Sequence, residues 1–127
     1  MSRRVIKTPD APIPVGTYSQ AVTVGNLLFS AGQIGINPKT NELLQGTFED
    51  EVRQVIYNLQ AVLAGASMTL DDVIKFTVFM TDLDNFGTVN QVLTEYFPQE
   101  PPARSAVEVA GLPKNARIEI ECIASAD

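Results

Sequence analysis

Histidine is absent from the 127 residues, and with it go His-based catalytic triads and His-containing metal sites. A single cysteine, Cys122, excludes an internal disulfide and a thiolate zinc cluster. The glycines are dispersed, so neither a G-x-x-x-x-G-K loop nor a G-x-G-x-x-G turn is present to cradle phosphates. Only nine residues are basic against fifteen acidic, a net charge of −6, which argues against a nucleic-acid surface. No apolar run approaches the roughly 18 residues of a membrane span. The start, Met1-Ser-Arg-Arg-Val-Ile-Lys, lacks the apolar stretch of a secretory signal. The expectation is a soluble cytoplasmic protein with no metal site. Its chemistry is left to Arg, Tyr, Ser, Thr, Asn, Asp, Glu, backbone groups and water.

What is present reads as one globular domain over 1–127, with 45% hydrophobic and 19% charged residues. Val5 to Lys7 suggests a short edge strand, and the three prolines of 8–17 a fixed loop. Tyr18 to Val24 and Leu27 to Ile36 read as strands joined by the hairpin signal Gly25-Asn26, with a turn at Asn37 to Asn41. Val52, Val55, Ile56, Leu59, Val62 and Leu63 then keep the spacing of an amphipathic helix. Thr47 is placed to cap it and Gly65 to end it. Val73 to Met80 is rich in β-branched and aromatic residues, as strands are. A second helix carries Val89, Val92, Leu93, Tyr96 and Phe97 on one face, up to Pro98. Strands from about Arg104 to Val109 and Arg117 to Ala124 finish the chain. This order predicts an α+β domain, a mixed or antiparallel sheet with both helices packed on one face.

If the last two strands pair as a hairpin with coincident apolar faces, like charges stay apart in one register. It sets Glu108 opposite Arg117, Ala106 opposite Glu119 and Arg104 opposite Glu121, leaving Arg104 diagonal to Glu119. A guanidinium and a carboxylate across a small side chain suit a small anionic ligand and a water. A ladder of surface ion pairs among Arg104, Glu108, Arg117, Glu119 and Glu121 is the competing reading of the same residues.

The blocks "PVGTYSQAV" (14–22), "FSAGQIGINPKTNEL" (29–43), "VIKFTVFMTDLDNFGTVN" (74–90) and "PPARSAVEVAGLPKNARIEIECIA" (101–124) resemble the RidA/YjgF/Yer057c family, also called L-PSP proteins, along essentially the whole chain. The resemblance implies a chorismate-mutase-like fold and a homotrimer with sites in clefts between subunits. It implies cofactor-free hydrolysis of 2-imino acids, which arise when PLP-dependent dehydratases release enamines, to 2-oxo acids and ammonia. Residue by residue, it implies that Arg104 holds the substrate carboxylate and Glu119 the attacking water. Tyr18 and Asn90 would line the cleft, and the backbone around Gly32 would line it from a neighbouring chain. Packing of Tyr18, a plain helix-surface role for Asn90 and a salt bridge for Glu119 remain alternatives, while Cys122 reads as core. Ala106 stands where many members carry cysteine, Ala31 where the usual motif has serine, and the loop from Pro98 to Pro102 is shorter than in some relatives. Two other functions compete: a non-enzymatic module binding small carboxylates or a protein, and an endoribonuclease or translation inhibitor.

Overall fold

The computed structural model describes residues 2–127. Strand β1 (Arg3–Ile6) pairs with β2 (Ala21–Val24), which turns at Gly25-Asn26 into β3 (Leu27–Ser30). Gly25 takes φ 59°, a left-handed value that a glycine adopts without steric cost. A separate hairpin follows, β4 (Ile36–Asn37) against β5 (Glu42–Leu43), closed by the Asn37–Asn41 turn that the sequence signals. Helix α1 (Phe48–Ala64) comes next, then β6 (Val73–Met80), α2 (Phe86–Tyr96), β7 (Ala103–Glu108) and β8 (Ile118–Ser125).

Helix α1 forms where the apolar spacing demands it. Thr47 accepts the Asp50 amide at 3.1 Å while Asp50 accepts the Thr47 amide at 3.1 Å, satisfying two donors that a helix start otherwise leaves open. Its inner face buries Val52, Val55, Ile56, Leu59, Val62 and Leu63 against Phe76, Val78, Ile118 and Ile120 of the sheet. Helix α2 adds Val89, Val92 and Leu93 to the same core. Both helices therefore cover one face of a six-stranded mixed sheet ordered β1-β2-β3-β8-β6-β7. Among the described residues no helix is long and apolar enough to cross a membrane.

The hairpin expected of the last two strands is not formed. β6 lies between them, parallel to β7 and antiparallel to β8. Two causes act together. The β6-α2-β7 crossover sets β7 parallel and adjacent to β6. β8, whose Ile118, Ile120, Cys122 and Ala124 are at most 2% exposed, occupies the centre between β3 and β6. The apolar residues of β7 also face the other way from the expectation. Arg104 and Ala106 pair with Phe76 and Val78 on the helix side, and Val107 stands 42% exposed on the open side. The residue across from Arg104 is thus Phe76, not Glu121.

Candidate active site

Arg104 projects from edge strand β7 toward α2. Its Nη1 donates to Asn90 Oδ1, and its guanidinium lies 4.8 Å from the centre of the Phe86 ring. Phe86 and Asn90 are four residues apart, so one helix face presents both. Phe97, Pro101 and Pro102 help line a cavity of about 360 Å³ beside them. Among the described residues no carboxylate lies within ion-pair distance of Arg104. A planar cation with an aromatic floor, an amide oxygen to orient it and no internal counter-ion is well formed for a carboxylate ligand.

Glu119 lies on the opposite side of the sheet. It pairs with Phe79 in β6, while Arg104 pairs with Phe76, and side chains alternate faces along a strand. Its carboxylate enters a second cavity of about 330 Å³, lined also by Ile13, Tyr18, Gly32, Ile34 and Lys114. Tyr18 is half exposed, and its hydroxyl accepts the Val15 amide at 3.4 Å. Burial raises the Glu119 pKa above the ordinary carboxylate value, and the like charge of Glu121 on the same face adds to the rise.

The missing side chain at Gly32 lets the Glu119 carboxylate lie against its backbone. A Cβ there would sit 2.6 Å from Glu119 Cδ and 2.8 Å from Oε2. Gly32→Ala is therefore expected to turn the carboxylate out toward water. An NMR titration of the Glu119 carboxyl should then move down toward the ordinary carboxylate range.

The protein thus gathers the sequence candidates into two clefts. Arg104 and Asn90 share one; Tyr18, Gly32 and Glu119 share the other. The diagonal contact of Arg104 with Glu119 within one chain is corrected, because the two project from opposite faces. The ion-pair ladder is absent as well. Arg117 instead binds Glu51, at 2.7 Å through Nε and 2.8 Å through its amide, and Glu108 accepts the Leu83 amide at 2.9 Å. Cys122 is core, 2% exposed, with its thiol pKa pushed up to about 11 by burial. Ser30 lies on the helix side, where its hydroxyl accepts the Cys122 amide at 2.9 Å, and so does not substitute for a residue at position 31.

Two neighbours of the clefts escaped the sequence reading. Phe86 was legible as a residue four before Asn90 on an amphipathic helix. Lys114, which the sequence did not single out, lines the Glu119 cleft and holds φ 57°, a conformation uncommon for a lysine. Among the described residues no group of three or more Asp, Glu and Cys side chains is placed to hold a metal ion.

Comparison with known proteins extends the picture. The family model described as Endoribonuclease L-PSP matches residues 8–126. A RutC family protein of Pyrococcus horikoshii is 52% identical, over 96% of this chain and 97% of its own. A 2-iminobutanoate/2-iminopropanoate deaminase of Dermatophagoides farinae is 47% identical, over 95% and 94%. Among solved structures, E. coli TdcF with bound serine superposes with a TM-score of 0.93 at 38% identity, covering 98% of this chain and 99% of that one.

Proposed function

We propose, for a chain that belongs to the Endoribonuclease L-PSP family and is built as its RidA-type members are, that it hydrolyses reactive 2-imino acids to 2-oxo acids and ammonia. The substrates are of the 2-iminobutanoate and 2-iminopropanoate type. The observation that carries the reading is the pair of complementary half-sites: an uncountered guanidinium on one side of the sheet and a half-buried carboxylate against Gly32 on the other. One chain cannot close them on a single substrate, but two copies can. The open sheet face supports such an assembly, since Val5, Val24, Leu27, Phe29 and Val107 stand 37–55% exposed on it. A homotrimer with each site between adjacent copies satisfies both features. The relative named a 2-iminobutanoate/2-iminopropanoate deaminase supports the reaction, and serine bound to TdcF supports a ligand with a carboxylate next to a nitrogen-bearing carbon.

In the mechanism Arg104, steadied by Asn90 and Phe86, binds the substrate carboxylate bidentately and so fixes C2. A water near Glu119 adds to C2 of the protonated imine, and its oxygen forms the new bond as Glu119 takes one of its protons. The tetrahedral carbon then carries a hydroxyl and an amine. Glu119 returns the proton to nitrogen, the C2–N bond breaks, and the hydroxyl proton leaves with ammonia as the ketone forms. A protonated imine is already electrophilic, so positioning and charge suffice without a covalent nucleophile.

The working form of Glu119 is ionised, and its pKa is raised. Activity should accordingly fall as pH drops through a value above the ordinary carboxylate range, and Glu119→Gln should remove that limb along with most of the rate. The stability sign is opposite. A carboxyl that holds its proton more tightly when folded loses stability as pH rises from its unfolded to its folded pKa, so Glu119→Gln should be neutral to slightly stabilising at pH 7. The direct test is decay of 2-iminobutanoate generated in situ. Acceleration by the parent and its loss in Glu119→Gln would support the reading. No acceleration across several imino acids would refute it and leave a carboxylate-binding module.

A further inference from the structure

Among the buried polar side chains, Gln20 stands out because nothing in the mechanism above uses it. It is 2% exposed and sits at the entry to β2, two residues after Tyr18. Its Oε1 accepts the Thr8 amide at 2.7 Å. Its Nε2 donates to the carbonyls of Thr8 and Pro12, both at 3.0 Å, with the Ala11 carbonyl at 3.4 Å. One amide donor and three carbonyls leave the side-chain amide a single orientation that satisfies all its partners. The main chain of Gln20 reaches the other way, its carbonyl accepting the Ala31 amide at 2.9 Å.

These bonds join the two walls that flank Glu119. One wall is the proline-rich loop, which brings Pro12, Ile13, Val15 and Tyr18 to the cleft. It lacks regular secondary structure, so the distances of its backbone from the rest of the molecule rest on contacts of this kind. The second wall is the segment from Ala31 to Ile36, where Gly32 touches the Glu119 carboxylate. That segment is pinned independently on its far side. Asn58, fully buried in α1, donates to the carbonyls of Ile34 at 3.1 Å and Ile36 at 2.8 Å. Gln33 and Ile120 exchange backbone bonds of 2.9 and 3.1 Å. The Ala31 to Ile36 wall is thus fixed by helix and sheet, and the loop wall is set against it through Gln20.

We propose that Gln20 is a positioning residue of the Glu119 cleft: its side chain holds the loop wall, its carbonyl holds Ala31, and the spacing of the two walls determines how far water reaches Glu119. The inference deepens the proposed function, resting on the reading of Glu119 as the group that holds the attacking water. Gln20 touches no substrate and acts through the walls. Replacing it with an apolar chain of similar length frees the Thr8 amide and three carbonyls at once, and the loop is expected to swing outward to hydrate them.

The test is Gln20→Met, measured in three ways. Amide hydrogen exchange at Thr8 should accelerate, which establishes that the loop has been released. Imine hydrolysis should lose about ten-fold or more in kcat, with KM changed by less than about two-fold because the carboxylate anchor is on the other cleft. The Glu119 carboxyl, assigned in NMR spectra by its loss in Glu119→Gln, should titrate closer to the ordinary carboxylate value as the cleft opens. A purely structural glutamine would lower the melting temperature and leave kcat and this titration where they were, and that result overturns the proposal. If Gln20→Met does not fold, Gln20→Asn serves. It keeps a neutral amide one methylene short of the Thr8 and Pro12 backbone, loosening the loop without burying a charge, and the same two readouts decide. The titration needs no turnover. A parent that hydrolyses no imine while Glu119 still shifts in the variant would sink the proposed reaction and uphold the positioning role.

Discussion

Arg104→Ala should cost about 150-fold to 25,000-fold in kcat/KM for imine hydrolysis while leaving the fold intact. Two charge-assisted bonds from a guanidinium to a carboxylate are worth about 1.5–3 kcal/mol each, and losing both gives that range. The folded state loses little, because Arg104 has no carboxylate partner among the described residues. Its stacking on Phe86 is worth about 0.5–1 kcal/mol at an exposed position. Arg104→Lys retains the charge and loses the planar fork, so its rate should fall between those of the parent and the alanine variant. Steady-state kinetics beside thermal unfolding separate the cases. An alanine variant that hydrolyses imines at the parent's rate would remove Arg104 from the mechanism.

Arg117→Met should have the opposite profile, a large loss of stability. Glu51 is 1% exposed, yet its carboxylate is held by Arg117 Nε at 2.7 Å and by the Arg117 amide at 2.8 Å. Removing the guanidinium leaves a buried charge with one remaining donor. The expected cost is about 3 kcal/mol, the lower end for a broken buried pair because that amide bond persists and the Arg117 side chain is 43% exposed. For a domain of this size that is a fall of roughly 10 °C in melting temperature. The double variant Glu51→Leu with Arg117→Met removes both charges and should recover much of the loss, which a double-mutant cycle would measure. The pair also bears on the site. It ties α1 to the residue before β8, two positions ahead of Glu119, and Gly35 closes over it, where a Cβ would come within 2.9 Å of Glu51 Cγ.

The elements whose sequence pattern is set by local physics were legible. Thr47, the acidic first turn and the apolar spacing announce α1, Gly25-Asn26 announces a hairpin, and β6 is β-branched and aromatic through its length. Boundaries were less so. α2 starts at Phe86, straight after a single turn at Leu83–Asn85 capped by Asp82, a start that its apolar face from Val89 onward does not mark. The stretch from Leu27 splits at Ser30, and the β4–β5 hairpin reads only as a turn, since two-residue strands carry no periodicity. The strand order was not legible at all. Val107 and Val109 look like core residues until the parallel placement of β7 turns Val107 to the open face and Arg104 to the helices. That single inversion moved Arg104 and Glu119 from neighbours on one face to opposite faces. The family resemblance survived it, because motif order does not depend on strand order, and it already pointed to clefts shared between subunits.

The central claim is that the half-sites on the two faces are completed by another copy of the chain. Arg104→Ala and Glu119→Gln, each inactive alone, can be co-expressed or refolded together so that they assemble at random. A site between two copies has one intact Arg104 and one intact Glu119 in about a quarter of the interfaces of an equal mixture, so about a quarter of the parent activity should return. A mixture that assembles normally and is no more active than either variant alone would contradict the claim.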